Sequence, residues 1–351
     1  MTILSTDNTH PSKVAGQRLR QIFRPVETDL RAVGQCLDRR LQAPRDAAVR
    51  DVVGSLRRSA GKRLRPALVL LSSRAVHASR NGHPVSSQDP VPIAAAMELI
   101  HIASLVHDDF IDAAPVRHHR SSVNARWGGA VSVALGDYLC AGAFQLTAEC
   151  GDPQMFAHVG SALCAMCEGE MLQVMNRGNL ALSEHDCLAV VEKKTAALFA
   201  ACCAAGAAAA AASDATRECL RRFGLHLGIA FQILDDCKDL LSDQMLLGKK
   251  PAQDLLAGDM TLPLLLFLRE TGRDLQTLTS WSSGMDDSEF LKRVRSAFLG
   301  SEAGTSTEQR VRFHTNQAKK ELQPLVVSEA KTSLGLLADY IGDCTAEILS
   351  R

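Results

Sequence analysis

The chain has 351 residues, with 39 basic and 39 acidic side chains, so its formal charge is zero at neutral pH. That balance removes any general electrostatic case for binding nucleic acid or an anionic membrane surface. Aromatic residues are 4% of the chain and hydrophobic residues 46%, much of it Ala and Leu, a mixture that favours helices over strands.

Met1 to about Lys13 is polar and is expected to be a frayed, flexible segment ahead of a single all-α domain over residues 14–351. Helical periodicity dominates, and no stretch alternates with period two. Breaks are expected at Arg80 through Pro92, Ala113-Ala114-Pro115, Asn176 through Asn179, Gly248 through Asp254, and Gly300 through Thr307.

In chain order, Gly61-Lys62-Arg63-Leu64-Arg65-Pro66 comes first and puts Lys62 and Arg65 on one helical face. A long apolar stretch then ends in Asp108-Asp109-Phe110-Ile111-Asp112, with Arg117 a short loop beyond. The run Thr195 to Ala212 is almost wholly apolar, but it is mostly Ala and is headed by Lys193-Lys194. Close helix packing explains it better than a membrane span, and no integral membrane segment is expected. A second apolar stretch ends in Asp235-Asp236-Cys237-Lys238-Asp239, and Lys249-Lys250 follows.

The first and last Asp of each DDxxD lie four apart, so they share a helical face and repel one another. One copy would suit a solvated acidic face. Two copies, each ending an apolar helix, point to an outside cation. The hard oxygen set suits Mg²⁺, which shares its coordination with water and substrate phosphates. Neither copy has the alternating ligands and central Gly of an EF-hand. The scattered Arg and Lys side chains suit phosphate. Together they imply one metal-bridged polyphosphate and a second anion held by Arg and Lys. The expected architecture is an all-α helical bundle around a central apolar cavity, with the two DDxxD helices as walls of a polar mouth.

The eleven Cys fall in apolar helical stretches and no secretory signal peptide precedes them. They are expected to be small buried hydrophobes in a reducing cytoplasm. Cys164 and Cys167 form a lone CxxC without a second pair or a neighbouring His, which suits helix packing.

The ordered motifs GKRLRP, ELIHIASLVHDDFIDAAPVR, VNARWGGAVSVALGD, EGEMLQVMN, KKTAALF, GIAFQILDDCKDL and LGKKPAQDLLAGDMTLPLL resemble those of trans-type isoprenyl (polyprenyl) diphosphate synthases. The likeness is strong from Gly61 to Pro263 and weaker in the C-terminal helices. It implies the all-α isoprenoid synthase-type bundle, usually a homodimer, with about three Mg²⁺ ions when substrate is bound. The substrates implied are isopentenyl diphosphate and an allylic diphosphate, condensed to a medium- or long-chain all-trans product.

Residue by residue, the resemblance implies that Asp108, Asp112 and Asp235 hold metal. Asp109, Asp236 and Asp239 complete the two motifs as ligands or their immediate supports. Arg117, Lys194 and Lys249 match positions that hold the allylic diphosphate. Lys62, Arg65 and His101 match the isopentenyl diphosphate pocket. Thr195 and Gln232 match residues flanking the reacting carbons, and Glu170 and Gln173 match positions beside the first metal cluster.

The pattern departs from the family at three places. His118, with His119, stands where a second Arg serving isopentenyl diphosphate is usual, and Arg120 is a substitute candidate. Asp259 stands where Lys is usual, and is expected to weaken anion retention. Ala252 replaces a loop Gly. Ala103 and Ser104, five and four residues before Asp108, match positions where bulky aromatics stop chain growth. Their small size resembles long-chain enzymes and is expected to open a product tunnel. A short-chain farnesyl or geranylgeranyl diphosphate synthase, and a non-catalytic partner subunit, stay open as alternatives. A terpene cyclase is disfavoured by the GKRLRP motif.

Overall fold

The computed structural model describes residues 10–56, 63–78, 88–117, 120–241, 253–281, 285 and 287–350, with the backbone alone given for 10–15, 117, 120, 287 and 288. Helices α1 (His10–Phe23), α2 (Glu27–Leu41) and α3 (Ala47–Ser55) lead into the central α4 (Leu64–Ala78) and α5 (Pro90–Ile111). After α6 (Val123–Trp127) come α7 (Gly129–Glu149), α8 (Pro153–Met175) and α9 (Glu184–Val191). A π-helical turn, Glu192–Ala196, joins α9 to α10 (Ala197–Ala209), and α11 (Asp214–Leu241) follows. The remainder is α12 (Gln253–Ala257), α13 (Leu262–Thr271), α14 (Leu275–Ser280), α15 (Asp287–Leu299), α16 (Ala303–Glu321) and α17 (Glu329–Leu349). The only strands among the described residues are Val116–Arg117 and Arg120–Ser121, an antiparallel pair beyond α5.

Several expectations change, among them the breaks ending at Pro92 and Asp254, since helices begin at Pro90 and Gln253. The first helix begins at His10, inside the segment expected to be frayed. The break at Gly300 through Thr307 shortens to residues 300–302, because Ala303 and Gly304 are already in α16 and buried. Cys164 and Cys167 are exposed rather than buried. On α8 the inward stripe is Met155, Val159, Ala162, Met166 and Gly169, and both thiols lie off it.

At the centre is α10, buried on nearly every side against α4, α8 and α11. Its Ala and Cys side chains let neighbouring axes approach closely. Gly206 meets the Val69 carbonyl of α4. On α11, a Cβ at Gly224 would stand 2.5 Å from the Phe199 carbonyl oxygen, and one at Gly228 would stand 2.6 Å from Ala196 Cα. The Ala-rich run is therefore a packing core. Two other helices, α5 and α7, are long and apolar enough to cross a membrane by length and composition alone. Of these, α5 packs against α2, α4, α7 and α10, while α7 leaves Val133, Tyr138 and Phe144 exposed.

Both long acidic helices end at the same side of the bundle. Asp89 caps the start of α5 by accepting from Val91 N–H at 2.9 Å, and Pro90 fits the first turn. At its other end Ala113 takes φ 47° and the Ala114 N–H returns to the Asp109 carbonyl at 2.9 Å, a closure usually built on Gly. This stop leaves Asp112 in the capping position, just outside the helix.

Replacing Gly224 by Ala should therefore force α10 and α11 apart and cost about 1–3 kcal/mol. Chemical denaturation compared with wild type reads it, and equal stability would mean the helices accommodate the methyl group.

Candidate functional site

A cavity of about 520 Å³ opens between α5, α7, α8, α11 and the π turn. Its mouth is lined by Asp108 and Asp112 from α5, and by Asp235, Asp236 and Asp239 from α11. Each cluster sits at a helix C-terminus, where the backbone dipole already favours cations over anions. The geometry places two repulsive carboxylate groups where the helices themselves make the repulsion worse.

Only part of each predicted triad behaves alike. Asp109 is buried and does not line the cavity, so it is not placed as a ligand. Asp236 is buried yet lines the cavity, and its Oδ1 accepts from Gln232 Nε2 at 2.7 Å. Gln232 Oε1 in turn accepts from Thr195 Oγ1 at 2.7 Å, tying the π turn to the second motif. Burial pushes the Asp236 carboxyl up to about 8, opposed by the Gln232 bond and reinforced by the charges of Asp235 and Asp239. Asp239 is held by the Asp254 N–H at 3.1 Å.

The π turn aims Lys194 and Thr195 inward together, although consecutive residues of a plain α-helix diverge by about 100°. Two ion pairs staple it to α8: Lys193 with Glu168 at 2.6 Å, and Lys194 with Glu170. Gly169 lies between the two acids, and a Cβ there would stand 2.7 Å from Lys194 Cα. Burial alone would lower the Lys194 ammonium, but Asp108, Glu170 and Asp112 outweigh it and raise it. Burial also raises the Glu170 carboxyl, against the pull of Lys194.

Deeper in the cavity, Arg65 and His101 both line the wall. Arg65 is buried beside Glu98, with its guanidinium 5.0 Å from the Phe199 ring centroid. Lys62, His118 and Lys249 lie outside the described residues, as does the Arg117 side chain.

The wall follows α5 from Asp108 past Ser104 to Ile100, two turns or about 12 Å along the axis. Leu163 and Met166 of α8 and Val133 and Cys140 of α7 complete an apolar passage. Ser104 lines it, its hydroxyl satisfied by the His101 carbonyl at 2.9 Å. Ala103 does not line it. That residue is 1% exposed and packs into the core, because its five-residue spacing rotates it about 140° from Asp108.

Asp259 also departs from its expected role. It is buried, accepting from Gln173 Nε2 at 2.8 Å and from Arg177 Nε at 2.7 Å. Its charge is neutralised rather than turned on an incoming anion. Gln173 therefore faces Asp259, and Arg177 reaches on to Asp112 at 2.8 Å. Arg177 was not singled out from sequence, where it reads only as part of a turn. His107 was also missed. It lines the cavity and packs where Gly136 leaves room on α7.

No three His, Cys, Asp or Glu side chains among the described residues stand close enough to hold a metal by themselves. The donor set still fits a hard divalent cation that completes its shell with substrate oxygens. Five carboxylates of the two motifs face one mouth, and burial plus crowding already drives one of them toward protonation.

A family model described as polyprenyl synthetase matches residues 46–297. A short chain isoprenyl diphosphate synthase of Methanothermobacter thermautotrophicus is 34% identical over 286 residues, covering 80% of this chain and 86% of that protein. An all-trans-nonaprenyl-diphosphate synthase (geranyl-diphosphate specific) of Rhodobacter capsulatus is 31% identical over 313 residues, covering 89% and 94%. Among solved structures, a polyprenyl synthase from Caulobacter crescentus complexed with calcium and isoprenyl diphosphate superposes with a TM-score of 0.84. It is 32% identical, with 92% of this chain and 97% of that one covered.

Burial of Asp236 has a measurable consequence. Its folded pKa lies above its unfolded value of 3.8, so its stabilising contribution is complete below about pH 4 and is lost as pH rises to about 8. Without added metal, wild type should lose stability over that window relative to Asp236→Asn. Parallel thermal melts against pH check it, and curves that run parallel would remove the assigned cause.

Proposed function

This chain belongs to the polyprenyl synthetase family, whose members are prenyltransferases, and we propose that it elongates an allylic diphosphate with isopentenyl diphosphate to a medium- or long-chain all-trans product. The observation that carries this reading is one cavity with two carboxylate clusters at its mouth and an apolar passage two turns deep behind them.

In this reading Asp108, Asp112 and Asp235 hold Mg²⁺, which when bound neutralises charge on the departing diphosphate. Lys194 adds a fixed cation from the π turn. Arg117 and Lys249 join it, and Lys62, Arg65 and His101 hold the second substrate, on the strength of the motif matches, with His118 in the place of the usual Arg. The allylic carbon–oxygen bond breaks, the terminal carbon of the isopentenyl double bond forms the new carbon–carbon bond, and a proton is lost to the departed diphosphate. Thr195 and Gln232 border the reacting carbons, and their mutual hydrogen bond fixes the orientation of both side chains. The apolar passage excludes water that would quench the cation.

Chain length follows from the passage wall. Ser104 leaves it open, and Ile100, one turn further, is the next side chain on the same face. An exposed apolar surface supports a homodimer as well. Phe144 of α7 and Phe156 of α8 stack with ring centroids 6.4 Å apart, and both side chains are exposed. A patch of this kind suits burial against a second copy.

Asp108→Ala or Asp235→Ala should cut turnover on the order of 10²-fold or more while leaving the helical spectrum intact. Ser104→Phe should shorten the products, read by chromatography after dephosphorylation. Ala103→Phe should instead overpack the core and lower stability by about 1–3 kcal/mol. Unchanged products from Ser104→Phe would put the floor elsewhere, and wild-type products of short length only would favour a short-chain synthase.

Sedimentation of wild type and Phe144→Glu at equal concentration tests the homodimer. Wild type should run as a dimer and the variant as a monomer. A monomeric wild type that gains activity only with another subunit would favour a heteromer.

A further inference from the structure

Arg177 sits in the turn after α8, and that turn is tied down twice. Gly178, at φ 72°, donates its N–H to the Gly258 carbonyl at 2.8 Å. Beside this backbone tie, Asp259 receives Arg177 Nε and Gln173 Nε2 on its two oxygens, at 2.7 Å and 2.8 Å. Both ties join the end of α8 to the turn after α12. The remaining arm of the guanidinium reaches the first acidic motif, donating to Asp112 Oδ1 at 2.8 Å.

Asp112 needs such a partner. Asp108 is within α5, but Asp112 caps it, with its side chain 43% exposed. A carboxylate that binds metal is generally oriented by an outer hydrogen bond, and losing that bond costs 10–100-fold in metal affinity. A lone Arg would do this at a price, since its charge repels the cation. Here Asp259, buried and in direct contact, cancels that charge. The pair is net neutral toward an ion at Asp112 and still directional. Only Oδ1 is engaged by Arg177, so Oδ2 stays available to an ion.

We propose that Arg177, fixed by Asp259, is a positioning residue that orients the Asp112 carboxylate for a divalent cation without opposing that cation's charge. The proposal rests on the reading of Asp112 as a metal ligand. It assigns Asp259 a role opposite to that expected from sequence: the acid is the anchor of a cation-site support. A Lys at position 177 would not replace Arg, because a single ammonium lacks the separate donors that span Asp259 and Asp112.

The test is calorimetric titration of Mg²⁺ into the full-length protein, saturated with a non-ionising thiolo analogue of an allylic diphosphate. Arg177→Gln should raise the Mg²⁺ Kd on the order of 10–100-fold, and Arg177→Lys should not restore it. Arg177→Gln leaves Asp259 buried without its cation, so the double variant Arg177→Gln with Asp259→Asn guards against misfolding. The double variant should match the single Arg177→Gln rather than multiply its effect, since both act through one contact. An unchanged Kd in the folded double variant overturns the proposal. A lowered Kd overturns it too, because Arg177 would then be competing with the metal. Asp112→Asn in the wild-type background separates the two layers: an unchanged Kd there removes Asp112 from the metal site whatever Arg177 does.

Discussion

Carboxylate repulsion at the cavity mouth is the constraint on which the other features depend. Asp108 and Asp112 close α5, and Asp235, Asp236 and Asp239 lie in the last two turns of α11. Each cluster adds negative charge to the negative end of a helix dipole. The fold answers with a few fixed cations. Lys194 is held by Glu170 on the π turn, and Arg177 is held by Asp259 beyond α8. Both are themselves paired with acids, so neither cancels the excess. Among the described residues the mouth is left with excess negative charge, which suits a divalent cation.

Backbone approach converts this electrostatic need into geometry. Bulk is absent wherever the walls meet: at Gly169 against Lys194, at Gly224 and Gly228 against α10, and at Gly136 against His107. A methyl group at Gly169, Gly224 or Gly228 would press on backbone and move a wall, and one at Gly136 would displace the His107 ring. The π turn works in the same direction, because Gly169 lets it approach α8 closely while Lys194 and Thr195 line the cavity. Packing in the Ala-rich centre and placement of charge at the mouth are therefore one problem, solved by small residues.

The features legible in sequence were those with a local period. Two DDxxD motifs, each ending an apolar helix, already implied an all-α bundle with carboxylates at one mouth. Phase within the helix was available too but was not used far enough. Asp109 stands about 100° from Asp108, and Ala103 about 140°, so neither shares its face. Asp236 obeys the same rule, because Gln232, Asp235, Asp236 and Asp239 recur at helical spacing and together face the cavity. Contacts distant in sequence were not legible at all. Arg177 and Asp259 are 82 residues apart, and neither has a local pattern that names the other. Asp259 read alone is a misplaced negative charge; read with Arg177 it is half of a neutral pair. The exposure of Cys164 and Cys167 was hidden for a related reason, since an apolar stretch does not say which of its faces is covered.

The dry passage and the crowded acids constrain each other. A carbocation survives only where water is excluded, yet water is what makes clustered carboxylates tolerable. Asp236 shows the conflict directly, pushed up to about 8 chiefly by burial. With no cation bound, the low-cost state of the mouth near neutral pH is one that keeps a proton on Asp236. A divalent ion held by the neighbouring carboxylates would favour the ionised form and so would displace that proton on binding. Gln232 donates to that carboxylate and accepts from Thr195, so a change in its charge is passed along this chain of hydrogen bonds to the π turn. Dryness in the passage is thus sustainable because the charges that need solvent are matched, at the moment of reaction, by charges that come in with the substrate.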